Sequence, residues 1–297
     1  MAILLPGERP RQGAVPDGGL ALNYRHEFHA GNFADLLKHA IVLAWIKRLG
    51  GAGGLTVLDT HAGAGLYDLK GEAARKSGEA AVGVARLMAA EDAPPVLAAL
   101  KRAVQAENGP GQLRFYPGSP VVAVRALKTG DRYVGCELRP DDHAALAKLL
   151  RQRGGEALRM DGYAALAEGC AGAGRRLVLI DPPFERGDEY DNIVEAVRTD
   201  RTRGGEAAYA IWTPLKDLQT FDAFLGGIES LGAGGGLAVQ ARLRPLDDPM
   251  RMNGCAMVLL GPKAALDAVA GPARQAAEWI VGALGGEGAE ARLERLA

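Results

Sequence analysis

The residues with the most chemical capacity are Asp181-Pro182-Pro183-Phe184, which follow the apolar, β-branched run Arg175-Arg176-Leu177-Val178-Leu179-Ile180. Such a run reads as a buried strand. It therefore delivers a carboxylate, two prolines and an aromatic ring to a strand end. Each proline fixes its own φ and lacks an N–H, which stiffens the turn and keeps the carbonyls there out of a helix. Asp181 can accept a hydrogen bond from an exocyclic amine, and the Pro182 carbonyl can accept a second. Phe184 offers a ring face to a planar base. Methylation of a nucleobase amino group needs this set of groups. A strand followed by a proline-rich turn accounts for the tetrapeptide equally well, so the rest of the chain must decide.

The second half of the site lies upstream. Leu55-Thr56-Val57-Leu58-Asp59 is another short buried-strand pattern, and it runs into Thr60-His61-Ala62-Gly63-Ala64-Gly65. Small residues just after a strand let the backbone pass close to a ligand. The three-glycine spacing of a dinucleotide fingerprint is missing. The stretch instead resembles the cofactor loop of methyltransferases that use S-adenosylmethionine, with His61 where many have glycine. A lone G-x-G says little, but a G-x-G after the first strand and Asp-Pro-Pro-Phe after the fourth say much more together.

The elements that must position these residues alternate. Asp131 to Glu137 reads as a second strand ending in an acid able to take both ribose hydroxyls of a cofactor. Glu156 to Met160 reads as a third, ending in Asp161-Gly162, which can approach the cofactor's adenine. Helical patterns over Asp141 to Gln152 and Ala164 to Cys170 follow them. Alternation of this kind implies a parallel sheet with helices on both faces, with ligands beyond the carboxyl ends of the strands. Asp59, Glu137, Asp161 and Asp181 all fall at such ends. Any one of them alone is more readily a solvated loop acid, but four in this order are not.

The segment Leu22-Asn23-Tyr24-Arg25-His26-Glu27-Phe28-His29-Ala30-Gly31-Asn32-Phe33-Ala34-Asp35-Leu36-Leu37-Lys38-His39 resembles the opening of the RlmJ family, the 23S ribosomal RNA adenine-N6 methyltransferases. The resemblance continues through Leu58 to Gly65, Tyr116-Pro117-Gly118-Ser119-Pro120, Glu137-Leu138, Asp161-Gly162 and Ile180 to Pro183, and resumes at Met252-Asn253-Gly254. It implies a Rossmann-like class I fold dependent on S-adenosyl-L-methionine, with a seven-stranded, mostly parallel sheet. It also implies site roles. Lys38, His39, His61, Ser119, Glu137, Asp161, Gly162 and Asp181 match positions at the cofactor or the catalytic centre. Asp181 matches the proton acceptor, with Pro182 and Phe184 beside it in the catalytic motif. Tyr24 matches a tyrosine associated with substrate RNA. Phe184 departs from the family, which usually has tyrosine there, but stacking needs a ring rather than a hydroxyl.

The implied organisation is a core of residues 22–66 and 118–297 with a helical insertion at 67–117, where Gly78 to Ala90 and Pro94 to Glu107 have helical periodicity. That insertion either grips RNA or only packs on the core. Residues 1–21 are rich in Pro, Gly and Arg and read as a disordered extension, not a signal peptide. Tyr24 to His39 is expected to act as a lid pivoting at Gly31-Asn32, with a helix from Ala34 to Leu49 and Lys38 near the cofactor's carboxylate. Ala207 to Trp212 reads as a fifth strand, and Gly235 to Pro245 with Gly254 to Gly261 as an antiparallel edge. Ala264 to Leu284 reads as a covering helix with a frayed end.

Composition narrows the setting. Three cysteines without a C-x-x-C pair suit a reducing, cytoplasmic compartment, and no apolar run is long enough to span a membrane. A net charge of −1 means that any RNA contact must be a local basic surface. A monomer acting on 23S rRNA, without metal, is expected. The Asp-Pro-Pro-aromatic motif also serves DNA adenine N6 and cytosine N4, so the choice of RNA rests on the resemblance. His26-x-x-His29 with Asp59-x-His61 suggests a metal-dependent hydrolase as a rival, yet no H-E-x-x-H spacing accompanies them. A non-enzymatic RNA-binding module leaves the strand-end acids without a purpose.

Overall fold

A computed structural model describes residues 25–50, 53–172, 174–204, 206–232, 234–247 and 252–297. The expectations for residues 1–21 and for Tyr24 lie outside the described residues. After a 3₁₀ turn at His26–Phe28 come helix α1 (Phe33–Leu49) and strand β1 (Thr56–Asp59). A ribbon of β2 (Leu66–Asp68) and β3 (Phe115–Pro117) encloses the short helices α2 (Glu72–Ser77), α3 (Glu79–Val82) and α4 (Val84–Ala89), and α5 (Pro95–Gln105). Then follow α6 (Ser119–Ala126), β4 (Arg132–Cys136), α7 (Pro140–Arg153), β5 (Glu156–Leu158), α8 (Gly162–Glu168) and β6 (Arg176–Ile180). The chain continues with α9 (Glu189–Thr202), β7 (Ala207–Leu215), α10 (Leu218–Glu229), β8 (Gly236–Arg242), β9 (Gly254–Leu260), α11 (Lys263–Leu284) and β10 (Glu290–Leu296).

The main sheet has the order β10-β8-β9-β7-β6-β1-β4-β5. Strands β5, β4, β1, β6 and β7 run parallel, and β9, β8 and β10 join antiparallel to their neighbours. Successive residues of β6 feed opposite faces: Leu177 and Leu179 pack with α1, α5, α6, α7 and α11, while Val178 and Ile180 pack with α8, α9 and α10. The two faces explain why these strands read as unbroken apolar runs. Strand order reverses at β1, with β4 on one side and β6 on the other, so the carboxyl ends of β1 and β6 flank the crevice where ligands bind in such sheets. Pro214 is tolerated in β7 because it lies past the last pairing with β6, at Ile211, and pairs only with β9.

Three features differ from the sequence reading. The sheet has eight strands rather than seven. β10 alternates apolar with charged residues, and its ion pairs Arg242–Glu290, Arg292–Glu294 and Arg295–Asp267 give it the composition of a solvated edge. Gly78 to Ala90 is not one helix. It breaks at Gly83, where a Cβ would lie 2.2 Å from the Gly31 carbonyl oxygen, while Val84 N donates to that same oxygen at 2.8 Å. Gly31-Asn32 is a packed corner rather than a free pivot: both residues are buried, and Asn32 caps α1 by accepting from Asp35 N at 2.9 Å.

Gly83→Ala is expected to cost about 1–3 kcal/mol, because the new methyl group must displace backbone. Gly282→Ala, on an open face of α11 with nothing within 4 Å of the new carbon, is expected to stabilise by about 0.5–1 kcal/mol. Urea unfolding of both variants checks the opposite signs.

Candidate active site

A cleft of about 960 Å³ opens at the carboxyl ends of β1, β4, β5 and β6. Lys38, His39, His61, Ser119, Glu137, Asp161, Gly162 and Asp181 all line it. The loop after β1 lines it with Thr60, His61, Ala62, Gly63 and Ala64. Gly63 has φ +62, and a Cβ there would lie 2.2 Å from the Tyr67 hydroxyl. Gly162 approaches the same loop so closely that a Cβ would lie 2.1 Å from the Thr60 carbonyl oxygen.

The acids at the strand ends have different duties. Glu137, after β4, accepts from Gly63 N at 3.0 Å through Oε2 and from Arg139 N at 2.7 Å through Oε1. Burial raises its pKa, and these backbone bonds oppose the rise. A carboxylate has about four acceptor positions, so both oxygens keep capacity for a ligand. Asp161 caps α8, with Oδ1 accepting from Tyr163 N and Ala164 N, each at 2.9 Å. Asp59 is buried beneath the cleft, where burial pushes its carboxyl up against the pull of bonds from Ser119 and Tyr133. Its part is to brace the loops, with the Tyr133 hydroxyl donating to it at 2.9 Å.

Asp181 follows β6 and is reached by the Lys38 ammonium at 2.5 Å from Oδ2. Lys38 therefore bridges two carboxylates, since its Nζ also lies 2.9 Å from Oδ1 of Asp35. Burial opposes the Lys38 charge, but Asp181 and Asp35 more than offset it and hold its pKa well above the usual lysine range. Asp35 escaped the sequence reading. Its available signal was an Asp and a Lys at i, i+3 on a helix otherwise apolar nearly all round.

The histidines are held separately. His39 Nδ1 meets the Tyr116 hydroxyl at 2.8 Å, and burial drives its pKa down to about 3. His61 Nδ1 meets Thr60 Oγ1 at 2.8 Å, its ring meets Tyr163 edge-on at 5.3 Å, and burial lowers its pKa to about 4. His26 faces Asp35 at 3.1 Å and His29 faces Glu79 at 2.9 Å, so the two do not converge on one point. Among the described residues no group of three or more His, Cys, Asp or Glu is arranged to hold a metal ion.

The proline turn departs from expectation in two respects. Pro183 lines the cleft, whereas Pro182 is buried. The Phe184 ring is engaged by Tyr190 at 5.1 Å and Trp212 at 5.7 Å rather than standing free for a base. Phe184 has φ 50, the sole positive φ outside glycine among the described residues. Such a backbone costs of order 1–3 kcal/mol and persists where the surroundings over-determine it. The aromatic cluster supplies that restraint at the proline turn.

The family model described as Ribosomal RNA large subunit methyltransferase D, RlmJ, matches residues 52–296. The chain is 34% identical over 244 residues to Ribosomal RNA large subunit methyltransferase J of Escherichia coli (strain K12), covering 81% of this chain and 87% of that protein. The enzyme of the same name from Haemophilus influenzae is 34% identical over 245 residues, with the same coverage. A crystal structure of a Legionella pneumophila protein is similar with a TM-score of 0.80 at 25% identity, covering 90% of this chain and 98% of that one. Among the described residues no helix is long and apolar enough to cross a membrane.

The buried histidines predict an acid-sensitive fold. His39 and His61 titrate near the ordinary value of 6.5 when unfolded but at about 3 and about 4 when folded. The unfolded chain therefore binds more protons between those values, and stability falls as pH drops from 6.5 toward 4. His39→Gln, which keeps a partner for Tyr116, should flatten that slope in denaturation measured across the window.

Proposed function

The chain belongs to the RlmJ family of ribosomal RNA large subunit methyltransferases, and on that footing we propose that it transfers a methyl group from S-adenosyl-L-methionine to the exocyclic N6 of an adenine in 23S rRNA, in the cytoplasm. The observation that carries the reading is that Asp181 opens into the same cleft as the Gly63 loop, Glu137 and Asp161.

The donors and acceptors of the cleft fit S-adenosylmethionine. Glu137 keeps acceptor positions for two ribose hydroxyls, and the Oδ2 of Asp161 is suited to an adenine amine. Gly63 and Gly162 let backbone approach without a side chain between. Ser119, His39 and His61 complete the wall, the histidines neutral at physiological pH. When bound, the cofactor supplies an electrophilic methyl group on a sulfonium.

The rest belongs to this chain's residues. The N6 lone pair of adenine is delocalised into the ring, which makes it a poor nucleophile. With Oδ2 engaged by Lys38, Asp181 presents its other oxygen to N6–H. That bond favours a pyramidal nitrogen with its lone pair turned toward the methyl. The nitrogen becomes cationic during attack, and the Asp181 carboxylate stabilises that charge. The N6 proton departs on the side of Asp181. Phe184, braced by Tyr190 and Trp212, shapes the base-binding wall. The target base must leave its stack, at roughly a few kcal/mol, a cost that is least in loosely paired RNA. Tyr24 contacts the RNA substrate. The insertion at 67–117 borders the cleft through Gly71, Glu72 and Ala73 and, with Lys70, Arg75 and Lys76, meets the RNA backbone.

Mass spectrometry of nucleosides from 23S rRNA of a deletion strain, before and after treatment with protein and cofactor, tests the reading: new N6-methyladenine supports it, and new cytosine methylation assigns a different base. Asp181→Ala is expected to abolish turnover while cofactor binding persists, since Lys38 keeps Asp35 as counter-ion. Near-normal turnover in that variant would remove Asp181 from the chemistry. Glu137→Ala should weaken cofactor binding by ~1.5–3 kcal/mol, the value of bonds to a charged acceptor. An unchanged dissociation constant in calorimetry would refute the ribose assignment.

A further inference from the structure

Asp35 is 2% exposed, and the mechanism above makes no use of it. It lies in the first turn of α1, where its carboxylate has three engagements. Oδ1 takes the Lys38 ammonium at 2.9 Å, and Oδ2 accepts from Gly31 N at 2.9 Å and meets His26 Nε2 at 3.1 Å. Lys38 in turn reaches Oδ2 of Asp181. We propose that Asp35 is a positioning residue for methyl transfer, holding the Lys38 ammonium against one oxygen of Asp181 and keeping the cluster anionic. This rests on the methyl-transfer reading of the same site.

The argument is electrostatic. A buried ammonium with Asp181 alone as partner forms a neutral pair, which becomes cationic as positive charge develops on N6. Two carboxylates around one ammonium carry one net negative charge beforehand, and the developing cation brings the cluster to neutrality. Over so short a distance that difference acts more on the transition state than on the ground state. Sharing also limits the pull of Lys38 on Asp181, because the ammonium is anchored within its own helix turn. Burial works against ionised Asp35, yet the Lys38 ammonium and the bond from His26 hold its carboxyl well below the usual range. The cluster is also felt by Tyr116 on β3, by Glu79 on α3 with its partner His29, by Asp59 on β1 and by Cys255 on β9.

Asp35 also fastens the Gly31 turn, so a purely structural role must be separable. Asp35→Asn keeps the shape and an acceptor for Gly31 N while removing the charge. In this variant kcat on 23S rRNA is expected to fall about tenfold or more, with KM for cofactor and RNA each changed by less than about threefold. The Lys38 side chain, followed by NMR of 13C-lysine protein, is expected to titrate at lower pH than in the wild type. An unchanged kcat per folded molecule, or an unmoved Lys38 titration, overturns the proposal even where the melting temperature drops. If the variant does not fold, the Asp35 carboxyl carbon in the wild type decides. Titration below the ordinary aspartate range supports the buried ion pair, and titration at or above it overturns the proposal. A wild type that leaves 23S rRNA unmethylated defeats the functional reading by itself, since the Lys38 titration needs no substrate.

Discussion

A lysine side chain that must stay charged inside the protein fixes the geometry around it. Lys38 cannot be solvated where it lies, so Asp181 has to come to it from the end of β6 and Asp35 from one turn earlier in α1. The desolvation cost of such an ammonium is several kcal/mol before its partners are counted. That cost sets tight limits on how α1 crosses the sheet. The helix meets the limits by being apolar on nearly every side, wedged between α5, α6, α11 and the strands. The Asp181 carboxylate is thus held by a helix far from it in sequence, and its position depends on the packing of Trp45, Ile41 and Leu37 as much as on the proline turn.

Close backbone approach is the second constraint, and it works through absent side chains. The loop after β1, the start of α8 and the break before α4 each pass where a methyl group would strike backbone or a tyrosine hydroxyl. The first two contacts tie the loop after β1 to β2 and to the turn after β5, and the third ties the insertion to the corner before α1. Beneath them, Asp59 gathers Ser119 and Tyr133 and keeps the loops in register without reaching the cleft. A polar group so placed acts through the orientation of its neighbours.

The parallel strands and their terminal acids were legible in the sequence because both signals are local: an apolar run, then an acid and a small residue. Glu137, Asp161 and Asp181 could therefore be placed without knowing what lay opposite. Partnership was not legible. Lys38 was assigned to a cofactor carboxylate because a lone lysine near a binding loop suggests an anion, but its anions are Asp35 and Asp181. Phe184 read as a free ring because its partners Tyr190 and Trp212 come from α9 and β7. β10 was missed because edge charges hide strand alternation, and the break at Gly83 was missed because it is imposed by Gly31, fifty-two residues earlier.

The β2–β3 ribbon pairs Tyr67 with Tyr116, and each tyrosine holds a histidine of the N-terminal segment. Tyr67 packs on His26 at 4.9 Å, and Tyr116 bonds His39. The ribbon, the helices it encloses and the first turns of α1 therefore form one cooperative unit, of the kind that opens and closes as a whole in hydrogen exchange. Fraying of the outer helices is transmitted through His26 to Asp35 and loosens the polar cluster at the reacting end. Conversely, any contact that steadies the outside of the insertion also steadies the Asp35 end of α1. Order in the outer helices and order in the polar cluster are then two readings of one local folding equilibrium.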